Sequence, residues 1–124
     1  MHPNKPDVAP RDVGGAGEAF AAACLESRGY EVIARNFRTR MGEIDLIARD
    51  AQYLVFAEVK ARRAGSMVSG EEAVDVHKQR RLRYAAEYYL AGRPTALQPR
   101  FDVMCVELGP GGHHKLSNWI EDAF

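Results

Sequence analysis

Asp45 and Glu58 stand where the surrounding pattern asks for apolar side chains. In Leu54-Val55-Phe56-Ala57-Glu58-Val59-Lys60-Ala61 a period of two puts Leu54, Phe56, Glu58 and Lys60 on one strand face, so a carboxylate and an ammonium continue an apolar stripe. Such charges are costly unless they are paired or bound to a metal. Asp45 interrupts Ile44-Leu46-Ile47 in the same way. With a chain reversal at residues 50–52, Asp45 and Glu58 are expected side by side on adjacent strands, where two carboxylates repel. Two such anions call for a cation. A few hard oxygen ligands, with room left for water and phosphate, describe Mg2+ or Mn2+ rather than zinc. Lys60 would stand beside that metal, where a cation holds an attacking water or a phosphate charge. The plainer reading is a solvated Glu58–Lys60 ion pair at a strand end, because a Glu-x-Lys triplet alone is a weak signal.

Basic residues cluster around these positions. Arg35, Arg38 and Arg40 lie in one strand and its turn, Arg62 and Arg63 follow Lys60, and Lys78, Arg80, Arg81 and Arg83 crowd the start of a helix. Each run alone reads as a solvated face. Beside a metal site, however, Arg38, Arg40, Arg62, Arg63, Lys78 and Arg81 become candidates for holding the phosphates of a nucleic acid. Lys78 is four residues before Leu82 and is therefore expected to face the sheet. Adjacent His113 and His114 would point to opposite sides of an extended chain, so a shared metal is not expected of them. Tyr84, Tyr88, Tyr89 and Trp119 read as core or packing residues rather than as a stacking platform.

The elements that must carry these residues follow from periodicity. Residues 17–28 repeat Phe20, Ala23, Cys24 and Ser27 at helical spacing, and Gly29 ends the pattern as a C-terminal cap. The preceding Gly14-Gly15-Ala16-Gly17 reads as a hinge. Strands are expected at 30–37, at 43–49 and at 53–61, with turns at Met41-Gly42 and Asp50-Ala51. In the second strand Ile44, Leu46 and Ala48 are expected on one face and Glu43, Asp45 and Ile47 on the other. A small, polar loop of about ten residues at 65–75 is long enough to suspect a role. A helix at about 74–91 packs through Leu82, Ala85, Ala86, Tyr89 and Leu90, and Gly92 and Pro94 stop it. Strands at 100–108 and near 120 complete the chain. Three strands with short links favour an antiparallel meander, and a strand-helix-strand unit favours a parallel pair. The expected class is α/β: a mixed sheet with a helix on each side.

The chain of 124 residues carries 17 Lys and Arg against 17 Asp and Glu, a formal charge of zero. Taken alone, that balance argues against a polyanionic partner, but it is a sum of opposites. Residues 28–100 hold 14 basic and 9 acidic residues, a surplus of five, and the two ends offset it. Length allows one domain, taken as residues 14–124 behind a disordered tail at 1–13 that has almost nothing large and apolar to bury. Cys24 and Cys105 sit among apolar neighbours without partners at zinc-ligand spacing, so reduced thiols and a cytoplasmic location are expected. No apolar run approaches the length of a membrane span, and no N-terminal stretch resembles a signal peptide.

Asp45 followed by Glu58-Val59-Lys60, with a helix before and a basic helix after, resembles the PD-(D/E)xK nuclease superfamily, although Ile44 stands where that motif has its proline. More narrowly, Gly17-Glu18, Gly29-Tyr30, Arg35-Asn36-Phe37-Arg38, Gly42-Glu43-Ile44-Asp45-Leu46-Ile47-Ala48, Phe56-Ala57-Glu58-Val59-Lys60, Arg100-Phe101-Asp102-Val103 and Ala123-Phe124 resemble the YraN family of small bacterial proteins. The resemblance implies a restriction-endonuclease-like core in the order α-β-β-β-α-β with a short C-terminal strand. It implies Asp45 and Glu58 as metal ligands, the Val59 carbonyl as a third, Lys60 as the catalytic lysine, and Glu18 as an added ligand or water-orienting acid, as in archaeal Holliday-junction resolvases. Glu43, on the Asp45 face, is placed to join them. The activity implied is a Mg2+- or Mn2+-dependent phosphodiesterase that cuts DNA, structured or damaged duplex in particular, with a water activated at the metal. DNA is expected over RNA. A homodimer would suit a two-strand cut, but no self-complementary patch is legible. The alternatives are a non-catalytic nucleic-acid-binding module that keeps the nuclease fold, and a scaffold for a partner protein.

Overall fold

A computed structural model of the protein describes residues 10–65 and 75–124. The elements run α1 (Pro10–Ser27), β1 (Glu31–Arg38), β2 (Glu43–Arg49), β3 (Tyr53–Arg63), α2 (Val76–Gly92), β4 (Gln98–Leu108), a 3-10 turn (Pro110–Gly112) and β5 (Lys115–Ile120). They build one five-stranded sheet in the order β1-β2-β3-β4-β5. β1, β2 and β3 form an antiparallel meander, β3 and β4 pair in parallel over eleven positions, and β5 returns antiparallel to β4. This is the mixed α/β sheet with a helix on each face that the sequence predicts.

Helix α1 starts earlier than periodicity implies. Pro10 opens it, the position where a missing N–H costs nothing. Residues 10–13, assigned to the tail, are therefore helical, and Gly14-Gly15-Ala16-Gly17 is helix rather than hinge. The remaining tail residues, 1–9, and nearly all of the suspected loop, 66–74, lie outside the described residues. The helix also buries a different stripe from the expected one. Ala21, Ala22 and Leu25 are fully buried, whereas Ala23 and Ser27 face solvent and Phe20 and Cys24 flank the contact. Small side chains win because the helix lies close to the sheet: a Cβ on Gly17 would stand 2.4 Å from the Ala61 Cβ. Gly29, at φ 92°, ends the helix with paired bonds from Gly29 N to the Glu26 carbonyl and from Tyr30 N to that of Leu25.

Two cores sandwich the sheet. Under α1 lie Leu46, Ala48, Val55, Ala57, Met104 and Val106. Under α2 lie Ile44, Ile47, Leu54, Phe56, Leu82, Ala85, Ala86, Tyr89, Val103 and Cys105. The expected faces of β2 are thus partly wrong, since Ile44 packs with Ile47 rather than with Leu46 and Ala48. The departure falls at Asp45, across from Asn36, whose left-handed φ of 52° breaks the regular extension of β1. Side chains close both turns. Thr39 Oγ1 accepts from Met41 N and Gly42 N, and Asp50 Oδ1 accepts from Gln52 N and Tyr53 N.

The far side of the sheet is tied by a buried ion pair. Arg100 Nη2 meets Asp102 Oδ2 at 2.8 Å and also donates to the Tyr30 hydroxyl, while Trp119 Nε1 and Asp122 N donate to the same Asp102 carboxylate. Both charges are satisfied, as burial demands. Neither cysteine is in a disulfide among the described residues; Cys24 lies on the α1 side and Cys105 is buried under α2.

Candidate active site

The break in alternation at Asp45 and Glu58 becomes a shared site because β2 and β3 pair with Leu46 opposite Ala57, which sets Asp45 across from Glu58 one step further on. Asp45 Oδ2 accepts a 2.8 Å bond from Val59 N, and its carboxyl meets that of Glu58. Burial, and next the negative charge of Glu58, push the Asp45 pKa up to about 8. The Val59 amide opposes the shift, and Glu18 adds to it from α1. A shift of that sign and cause means that the pair of carboxyl groups keeps a proton into the neutral range.

These acids open into a cleft of about 240 Å³ lined by Glu43, Asp45, Glu58, Lys78, Arg81 and Leu82. The side chain of Glu58 is only 14% exposed, and Lys78 Nζ reaches its Oε2 at 3.3 Å. Lys78 is set there by the N-terminus of α2, where Asp75 Oδ1 accepts from Lys78 N. Glu43 lies at the cleft's mouth in an exposed ion pair with Arg38, 3.3 Å apart. Lys60 follows Glu58 on the α2 face, since its partner in the ladder, Cys105, belongs to the α2 core. It does not line the cleft. Val59 meets Asp45 through its N–H, not its carbonyl.

The predicted basic group divides. Lys78 and Arg81 face the acids; Arg38 and Arg40 line an adjoining groove; Arg62 and Arg63 lie at the far end of β3, outside the cleft. Arg83 is diverted, its guanidinium lying 5.1 Å from the Phe101 ring centroid and 5.4 Å from that of Phe124. The groove, about 830 Å³, is bounded by Arg38, Thr39, Arg40 and Met41 of the β1–β2 turn and by Tyr84, Glu87 and Tyr88 of α2. Sequence reasoning placed all three α2 tyrosines in packing roles. Tyr89 is buried against Phe37 and Phe56, but Tyr84 and Tyr88 are 45% and 66% exposed. The spacing Arg81, Tyr84, Tyr88 is one helical stripe, the available signal. His114 accepts from Gly109 N through Nδ1 and meets the edge of Phe20, a packing role, and His77 is exposed.

Among the described residues no group of three or more His, Cys, Asp or Glu side chains is gathered as a metal cage. Two touching carboxylates still fit a hard divalent ion, because Mg2+ is held by one or two carboxylates and keeps most of its ligands as water or substrate oxygen. A Zn2+ cage of protein ligands is not built here.

The architecture is that of a mixed α/β protein, two helices on a five-stranded sheet with an acidic cleft at the β2–β3 junction. Residues 17–106 match the model of the family described as "Uncharacterised protein family UPF0102", and the chain belongs to that family. It is 50% identical over 115 residues to a UPF0102 protein of Symbiobacterium thermophilum, covering 92% of this chain and 97% of the relative. It is 42% identical to a UPF0102 protein of Rhodococcus jostii (90% and 95%) and 41% identical to one of Caldanaerobacter subterraneus (83% and 85%). The YraN resemblance holds at the level of family. Among the described residues no helix is long and apolar enough to cross a membrane.

Proposed function

We propose that this protein is a metal-dependent phosphodiesterase of the PD-(D/E)xK superfamily, with a restriction-endonuclease-like core, acting on DNA. The observation that carries the reading is the Asp45–Glu58 contact, two carboxylates held together within reach of Lys78 and Arg81. The β2–β3 register sets the two acids side by side, and among the described residues the ion pair they make is that of Glu58 with Lys78, which leaves Asp45 without a cation of its own. Asp45 and Glu58 would hold Mg2+ or Mn2+, with Glu18 adding negative charge from α1. The ion would supply charge neutralisation at the phosphate and a more acidic water.

The chain's own residues do the rest. Lys78 and Arg81 bind the phosphodiester from α2, Lys78 leaving Glu58 for a phosphate oxygen as it does so. Lys60, which makes no ion pair among the described residues, carries a positive charge two residues beyond Glu58, suited to the charge that develops on the attacked phosphate. Glu18, on α1 and outside the residues that line the cleft, would orient a water by accepting a hydrogen bond from it. In-line displacement of the 3' oxygen would leave a 5'-phosphate and a 3'-hydroxyl.

The test is a cleavage screen over single-stranded, duplex, flapped and four-way DNA with Mg2+ or Mn2+. Asp45→Ala, Glu58→Ala and Lys60→Ala are each expected to cut rates by 100-fold or more while the circular dichroism spectrum is kept. Cleavage that survives both acid substitutions would sink the assignment. One observation favours a second reading: Lys78 already neutralises Glu58, as a non-catalytic DNA-binding module would require. That reading expects salt-dependent binding in chelator and no nicked product under any metal.

A further inference from the structure

We infer that the groove beside the acidic cleft is a site for an unpaired base, so that the DNA taken by this protein carries a single-stranded or extruded nucleotide next to the phosphodiester held in the cleft. The inference rests on the function proposed above and adds the class of substrate. Three apolar surfaces stand open there: Met41 at 58% exposure, Tyr84 and Tyr88. Exposure on that scale, concentrated in one groove, is uncommon unless something covers it. Arg40 brings a positive charge to the same walls, and Arg38 brings a second that it shares with Glu43 at 3.3 Å, beside the carboxylate of Glu87. Aromatic faces interleaved with arginines are the chemistry that stacks bases and tracks a phosphate backbone.

Position supports the same occupant. The groove and the cleft share α2, and the β1–β2 turn of the groove leads into Glu43 of the cleft; turn and helix meet where a Cβ on Gly42 would stand 2.4 Å from the Arg81 carbonyl oxygen. Arg81 lines the cleft, and Tyr84 and Tyr88 continue its stripe one and two turns along. From Lys78 to Tyr84 and Tyr88 is about 9 and 15 Å along the helix axis. A strand whose phosphate sits on Lys78 and Arg81 thus runs directly past the tyrosine faces. A continuous duplex offers no free base face at that point; a flap, bulge or single strand does.

The test measures binding in chelator, so it does not depend on cleavage. The probes are a blunt duplex and the same duplex with a short single-stranded flap carrying 2-aminopurine, read by anisotropy and by quenching of the probe. Tyr88→Ala and Tyr84→Ala are expected to weaken flap binding by about 5- to 100-fold each, with loss of quenching, and to leave blunt-duplex affinity within 2-fold. Tyr88→Phe, which keeps the ring face, is expected to bind as the parent does. Equal losses on both probes, or no loss on either, would overturn the inference, as would a shift in oligomeric state caused by Tyr88→Ala, which would make the groove a contact between two copies. No cleavage with intact flap preference would overturn the nuclease reading alone. Cleavage that depends on Asp45 but ignores both tyrosines would overturn the groove alone.

Discussion

Asp45 and Glu58 are brought together by backbone: the pairing of β2 with β3 and the Val59 amide set two carboxyl groups side by side. The raised pKa of Asp45 has a definite sign in stability. Between the ordinary value near 3.8 and about 8, the folded chain binds a proton that the unfolded chain has already released. This group's contribution is therefore full below about pH 4 and is lost as pH rises through 8. In chelator, the urea midpoint should fall from pH 5 to pH 9, and Asp45→Asn should flatten that slope and gain more than about 1.4 kcal/mol, the worth of one pKa unit, at the alkaline end. A parent and variant with parallel profiles would show that Asp45 ionises freely. The neighbouring of Asp45 and Glu58 was legible in the sequence because a charge breaking a period of two is visible without coordinates, whereas the position of Lys60 outside the cleft lining was not. The division of the tyrosines was not. Which of Tyr84, Tyr88 and Tyr89 is buried depends on the phase of α2 against Phe37 and Phe56, a fact of tertiary packing.

At the scale of elements, two glycines set the distance of each helix from the sheet. In an open helix Gly→Ala stabilises by about 1 kcal/mol. At Gly17 the sign should reverse, because the new Cβ meets the Cβ of Ala61, which has no rotamer with which to yield. Gly17→Ala is expected to lose about 1–3 kcal/mol in urea melts, the ordinary cost of an overpacked core. Gly42→Ala pushes on a backbone carbonyl of α2 and should move Lys78 and Arg81 relative to Glu58. Activity should fall about 10-fold or more even where the fold survives, since misplacement of a positioned group is costly. The order of strands and the parallel crossover followed from the lengths of the links. The start of α1 and its buried stripe did not, because a helix rich in Gly and Ala has almost no amphipathic contrast to read, and only the close approach to Ala61 and Val59 selects its face.

Over the whole molecule, the Arg100–Asp102 pair does for the C-terminal segment what the hairpins do for the meander. Its carboxylate gathers Trp119 of β5 and the Asp122 amide, Ala123 N donates to the Phe101 carbonyl at 2.7 Å, and Phe124 stacks on Phe101 at 5.0 Å. Asp102→Ala leaves the buried guanidinium with only the Tyr30 hydroxyl and a longer, 3.7 Å contact to half-exposed Glu121, and should cost about 3–5 kcal/mol, with β5 the first element to lose amide protection. The zero formal charge has a local meaning as well. Arg38, Arg40, Lys78 and Arg81 converge on one side of α2, so DNA binding should weaken with salt along a log–log slope of about −3 to −4, four phosphate contacts at roughly 0.9 each. A slope near zero would mean that the basic surplus at 28–100 is merely solvated.

The consecutive order of the strands has a kinetic consequence. Every antiparallel pairing joins neighbours in the chain, and the one long-range closure is the parallel seam between β3 and β4, made across α2. Local hairpins close before loops of that span. The β2–β3 hairpin, with its two acids, is thus expected to assemble ahead of the basic helix that faces it, leaving an acidic hairpin waiting for its cations. Pulsed hydrogen exchange during refolding should protect Leu46 and Phe56 before Met104. Divalent ions should bear mainly on the earlier phase, in which Asp45 and Glu58 come together before α2 brings Lys78.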